Sequence, residues 1–233
     1  CVDDILVSGA YPLFFQDYFA SGKITSDEVA AFVSGISEAC INNECILTGG
    51  ETAEMPNVYQ ENKIDLVGTI VGMVHEDFMI NGKANIKEGD VVIALPAYSP
   101  HTNGYSLVRK IVRDLESQNK QDLITEEMKE KLLAPHRSYL KPIKSLDAKS
   151  RNAIHGLCHI TGGGIKENMP RILPSNLTAV FEKIKFPKVF DWIKREGKVS
   201  EDEMLRVFNC GIGMIVIGDS ESEGAMDELG YKR

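Results

Sequence analysis

A run of nine residues, Thr48-Gly49-Gly50-Glu51-Thr52-Ala53-Glu54-Met55-Pro56, sets two carboxylates beside two glycines and a hydroxyl. Glycine lets a backbone approach a bulky group, or take φ > 0, without a Cβ penalty. Exposed amides suit phosphate oxygens, and a carboxylate such as Glu51 suits a hard cation like Mg2+ held against those phosphates. The same residues also read as a strand-to-loop turn with a solvated acidic tip after Cys45-Ile46-Leu47. On pattern alone both readings stand.

Other stretches carry related chemistry. Asp3-Asp4 opens a helical pattern, where the macrodipole favours acids whether or not a metal is held. His101-Thr102-Asn103-Gly104-Tyr105-Ser106 lies between an apolar strand and a helix. A helix start in that position is a ready anion site, and His101 is the acid–base candidate. Asn103 is a natural N-cap, and a loop histidine with only surface contacts is the bland alternative. His159-Ile160-Thr161-Gly162-Gly163-Gly164 repeats the strand, glycine-rich turn and helix order. Neither glycine run matches G-x-x-x-x-G-K-[ST] or G-x-G-x-x-G, so a Walker loop and a Rossmann fingerprint are excluded. Asn209-Cys210-Gly211-Ile212-Gly213 offers a further close backbone approach, with Cys210 read as a small buried thiol.

The elements that must position these residues alternate between helix and strand. A helix over 1–10 precedes an aromatic-rich strand at 13–19. Thr25 or Ser26 caps a long amphipathic helix reaching Asn42. Ile64 to Val74 reads as a strand whose Gly68 and Gly72 mark close approaches. A polar, turn-rich stretch over 75–90 separates this part from a second one, with the boundary near residue 87, giving domains 1–86 and 87–233. The second part is expected to carry strands at 91–95, 153–160, 177–184 and 210–217. Its helices are expected at 104–115, 165–169 (stopped by Pro170), 187–196, 200–208 and 221–229. The fold class is α/β (α+β) with two domains.

Composition narrows the function. The chain has 233 residues, 43% hydrophobic and 26% charged, with a formal net charge of −8. No basic cluster offsets that charge, so nucleic acid and anionic membrane surfaces are poor partners. No apolar run is long enough to span a bilayer, and no signal peptide is visible. The five scattered cysteines form no C-x-x-C pair, which fits reduced thiols in a cytoplasmic protein.

Five blocks, CVDDILVSGAYPLFFQDYFASGK, GGETAEMP, HTNGYSLVRK, HITGGGIKENMPRILP and FNCGIGM, occur in this order. Together they resemble the phosphoribosylformylglycinamidine cyclo-ligase (aminoimidazole ribonucleotide synthetase) family over essentially the whole chain. The resemblance implies a ligase of purine biosynthesis that uses ATP and Mg2+. The family closes the imidazole ring of formylglycinamidine ribonucleotide through a phosphoryl-imidate, releasing ADP and phosphate. It implies Asp4 and Glu51 as metal ligands, and Gly49, Gly50, Glu51 and Thr52 beside the nucleotide. It places His101, Asn103, Ser106, Thr161, Gly162, Gly163, Gly164, Asn209 and Gly211 around the substrate, with His101 as acid or base. It further implies a homodimer built on a sheet of N-terminal strands, and a mixed C-terminal sheet with flanking helices.

Asp3 stands where the family has Asn, and Ala97-Tyr98-Ser99 makes the loop before His101 bulkier. The family also carries an earlier glycine-rich segment with an Asp-Gly-Val-Gly-Thr-Lys motif. The chain therefore reads as a fragment cut at both ends and inactive alone. The alternatives are another ATP-using member of the superfamily, of amidotransferase, selenophosphate synthetase or thiamine-monophosphate kinase type, and a non-catalytic binding subunit.

Overall fold

The computed structural model describes residues 1–61, 63–181 and 184–231. The chain forms two compact units, Cys1–Met79 and Ile80–Arg233, in a mixed α/β arrangement.

The first unit contains α1 (Val2–Leu6), β1 (Tyr11–Ser21), α2 (Ser26–Asn42), β2 (Ile46–Glu54) and β3 (Ile64–Met73). Strand order is β2-β1-β3, with β1 parallel to β2 and antiparallel to β3. Thr25 and Glu28 form a reciprocal capping box that starts α2, an arrangement that stabilises by about 1 kcal/mol. Phe32 of α2 meets Phe19 of β1 with ring centroids 5.3 Å apart, fixing helix on sheet. Gly68 makes room for Phe15, whose ring a Cβ there would enter. Ile46, Leu66, Val67 and Met73 remain exposed on the two outer strands.

The strand expected to end at Leu47 instead runs on through the glycine–glutamate motif to Glu54. The reason is pairing with β1: Gly50 lies opposite Asp17, and a Cβ on Gly50 would overlap the Asp17 carbonyl oxygen. The motif is thus strand with one left-handed glycine, Gly49 at φ 109°, next to a register shift.

The second unit contains α3 (Gly82–Asn85), β4 (Val91–Pro96), α4 (Tyr105–Ser117), α5 (Glu126–Leu133), α6 (Leu140–Lys144) and α7 (Ala148–Asn152). It continues with β5 (Ile154–His159), α8 (Gly164–Ile172), α9 (Lys188–Glu196), α10 (Glu201–Val207), β6 (Ile212–Gly218) and α11 (Ser220–Glu228). The sheet order is β4-β6-β5, and both pairings are antiparallel. The central strand β6 is buried from Gly213 onward, as its unbroken apolar run requires. One core joins α4, α9 and α10 around Phe190, Ile193, Met204 and Phe208; another packs α8 on the sheet through Ile165, Met169, Ile215 and Ile217. Each fully buried large apolar side chain here stabilises by about 1.5–3 kcal/mol.

Three local expectations change. Gly104, not Asn103, is the N-cap of α4. Pro170 lies inside α8, which continues to Ile172; the cost is one missing amide donor near the helix end. The strand expected over 177–184 is absent among its described residues, and Glu182 and Lys183 lie outside the described residues. Leu177, Ala179, Phe181 and Ile184 pack on the α8–sheet core instead.

Candidate functional site

In the second unit, three glycine-bearing blocks converge at the end of the sheet formed by the close of β4, the close of β5 and the start of β6. Asn209 ties two of them together. Its buried side chain donates to the Ser99 carbonyl at 3.0 Å and accepts from the Gly211 amide at 3.0 Å. The Ala97 amide donates to the Gly211 carbonyl at 2.8 Å, so the β4–α4 loop is held along the start of β6. The third block joins through Gly162, whose missing Cβ would stand 3.2 Å from Asn103 Oδ1.

The glycine run at 162–164 does more than one job. Gly163 and Gly164 are left-handed at φ 95° and 58°. A Cβ on Gly164 would strike the Leu205 carbonyl, so that position is set by packing against α10. Thr161 and Gly162 are held by Asn168, a buried residue of α8. Its Nδ2 donates to the carbonyls of Gly162 and Gly164 at 3.2 and 2.8 Å, while Thr161 Oγ1 donates to Asn168 Oδ1 at 3.2 Å. Helices α4 and α8 both begin at a left-handed glycine, Gly104 and Gly163, and no side chain caps either one. Their first-turn amides are therefore free of side-chain caps, the condition for anion binding at a helix start. Ser106 is exposed in the first turn of α4.

His101 is buried at 4% exposure in the left-handed region, φ 57°. Its ring stacks on His136 at 3.8 Å and lies 6.4 Å from His159, while His136 meets His159 edge-on at 5.2 Å. The sequence marks His101 alone as an acid–base group. His136 was missed because it lies in the irregular chain between α5 and α6. Asn168 was missed because a mid-helix asparagine carries no local signal.

Cys210 is fully buried at φ 50° and its thiol donates to the Met204 carbonyl at 3.3 Å. Burial pushes that thiol up to about 12, which makes it inert as a nucleophile.

In the first unit the motif residues are exposed on β2. At Gly49 a Cβ would meet nothing within 4 Å, so the space beside its Cα is open, whereas at Gly50 a Cβ would overlap the Asp17 backbone. Glu51 lies opposite Tyr18, and its Oε1 accepts from the Thr52 amide at 2.9 Å. Glu54 is engaged elsewhere, accepting from the Ile24 amide at 2.9 Å. Asp4 is exposed on α1, which packs against β1 and β3, with Ile5 seated over Gly72. Asp4 is thus carried by a helix packed on β1 and β3, and Glu51 by the neighbouring strand β2. Among the described residues they do not join a group of three or more metal-capable side chains. The exposed Glu51 carboxylate and the open space beside Gly49 fit a metal–phosphate group, and the missing Cβ of Gly50 also lets β2 approach Asp17.

The fold has known counterparts. Thiamine-monophosphate kinase from Stenotrophomonas maltophilia K279a aligns with a TM-score of 0.62 at 17% identity, over 98% of this chain and 68% of that one. The hydrogenase maturation protein HypE from E. coli gives 0.65 at 12% identity, over 98% and 65%. PurL from T. maritima, complexed with AMPPCP, gives 0.53 at 18% identity, over 98% and 33%. The chain therefore spans about two thirds or less of these relatives. At such identities the likeness concerns the fold. Family models for the AIR synthase related protein match on both sides of the 75–86 stretch. The chain belongs to the AIR synthase related protein family, with its N-terminal domain at residues 1–74 and its C-terminal domain at residues 87–233.

Proposed function

We propose that the protein containing this chain is an ATP- and Mg2+-dependent cyclo-ligase that closes the imidazole ring of formylglycinamidine ribonucleotide, releasing ADP and phosphate. The carrying observation is the convergence of the HTNGYS, HITGGG and FNCGIG blocks, with two uncapped helix starts among them. Such a rim suits a phosphorylated ribose: amides of α4 and α8 take phosphate oxygens, and Thr161, Gly162, Asn103, Ser106, Asn209 and Gly211 line or brace the wall. HypE solved with ATP and PurL solved with AMPPCP support a nucleotide ligand in this fold.

ATP, when bound, supplies the phosphoryl group that turns a poor amide-oxygen leaving group into a good one. The chain's part is positioning and charge control. Gly49 and Thr52 offer an amide and a hydroxyl to phosphate, and Glu51 with Asp4 offers carboxylates to Mg2+. His101, held rigidly in its loop, is the group that takes or gives the ring-closure proton. The exposed apolar side chains of β2 and β3 support pairing of two copies through the first unit, in a cytoplasmic homodimer.

The test is turnover by the full-length protein. ADP release that requires formylglycinamidine ribonucleotide supports the reading. ADP release that requires thiamine phosphate or selenide instead assigns the protein to a neighbouring activity of the superfamily.

A further inference from the structure

His101, His136 and His159 reach one point from three separate segments: the β4–α4 loop, the α5–α6 connection and the end of β5. Their ligand nitrogens all lie within 4.8 Å of one another. Two of the residues are buried and His136 is half-buried. Three imidazole nitrogens on one tetrahedral zinc lie about 3.3 Å apart, so ring rotation with shifts of about an ångström would close the set on an ion.

The surroundings hold the three segments together. Gly213, on the central strand, has no room for a Cβ because His101 Cε1 and the Tyr139 hydroxyl occupy that space. The Ile160 amide donates to the Gly213 carbonyl at 2.9 Å, which sets His159 beside it. Arg137 and Tyr139 both donate to the Pro96 carbonyl, at 3.1 and 2.9 Å, and so pin the segment bearing His136 to the end of β4. Tyr139 is completely buried.

We propose that these histidines form a site for a borderline divalent transition-metal ion, best matched by Zn2+. The ligand set is all imidazole. That chemistry selects Zn2+, Co2+, Ni2+ or Cu2+ over Mg2+ or Ca2+, which require oxygen ligands. The site is thus chemically distinct from the Mg2+ position at Glu51. Three protein ligands leave one tetrahedral position for water or a substrate atom. One consequence rests on the function proposed above: a metal on the His101 ring nitrogen removes that nitrogen from proton transfer, so excess Zn2+ inhibits ring closure.

The experiment is Co2+ titration of the full-length protein in a Cys1→Ser background, which removes an exposed thiol that would compete for the ion. Visible absorption of four-coordinate Co2+, bleached by Zn2+, is expected. His136→Asn and His159→Gln, taken separately, each weaken Co2+ binding by about 10- to 100-fold, since loss of a direct ligand costs at least as much as loss of an outer-shell partner. At one fixed Zn2+ concentration, Tm rises for the parent and rises less for both variants. Absent Co2+ bands, or affinities equal to the parent's in both folded variants, overturn the site. If the ion binds as expected and ring closure ignores Zn2+, the site stands and the acid–base assignment of His101 falls.

Discussion

Gly213 on the central strand and His101 in the β4–α4 loop occupy one volume: a Cβ on the glycine would overlap His101 Cε1. The Tyr139 hydroxyl lies in the same space. Strand β6 therefore carries glycine here for room, at a position where backbone geometry alone would accept alanine. Gly213→Ala must push back a buried ring or a fully buried tyrosine. We expect a loss of about 1–3 kcal/mol by urea denaturation, typical of overpacking. Turnover should fall further than folding, because His101 moves with its loop.

Asn209 links Ser99 to Gly211 with both ends of its amide. Asn209→Ala strands a buried carbonyl and a backbone amide, and should cost about 1–3 kcal/mol. Asn209→Asp keeps the acceptor for Gly211 but loses the donor to Ser99. Its affinity for formylglycinamidine ribonucleotide should drop as the loop detaches, measured by calorimetric titration. A stable Asn209→Ala protein with unchanged substrate affinity would sink the idea that this residue joins the two blocks for binding.

The local rules read well where a signal is local. The capping box at Thr25 and Glu28, the close approaches at Gly68 and Gly72, and the buried run of β6 all lie in short windows of sequence. Signals failed where a distant partner decides. β2 is largely exposed, so it lacks the apolar alternation that marks a strand, and only its parallel pairing with β1 extends it to Glu54. Leu177 to Phe181 has the alternation, yet its apolar side chains are satisfied by packing on α8 and the sheet without a ladder. His136 shows nothing in its own stretch and acquires meaning only from the rings of His101 and His159.

Burial raises the thiols of Cys158 and Cys210 to about 12, from 9.0 in an exposed chain. The folded protein therefore keeps protons that the unfolded chain releases above pH 9. Stability is unaffected by these groups below that pH and falls as pH rises from about 9 towards 12. Each thiol contributes a slope approaching ~1.4 kcal/mol per pH unit. Denaturation midpoints across this range should shift less for Cys158→Ala or Cys210→Ala than for the parent. Alkylation at pH 8 should reach neither residue until the chain unfolds.

Asp4 and Glu51 face the sharpest test, because one is carried by α1, packed on β1 and β3, and the other by β2. Glu51→Gln keeps size and hydrogen bonding while removing charge. It should weaken nucleotide binding by the full-length protein about tenfold, or ~1.4 kcal/mol, with Mg2+ present and much less in its absence. Asp4→Asn should do the same if both carboxylates serve one ion. Coupling then decides the geometry. Two groups on a single cation give a double variant whose loss differs from the sum of the single losses by more than about 0.5 kcal/mol. Strict additivity would place the acids at separate ions, or leave Asp4 to helix-terminus electrostatics. An unchanged Glu51→Gln titration would remove the metal from β2 altogether and return the motif to a packed, acidic edge strand.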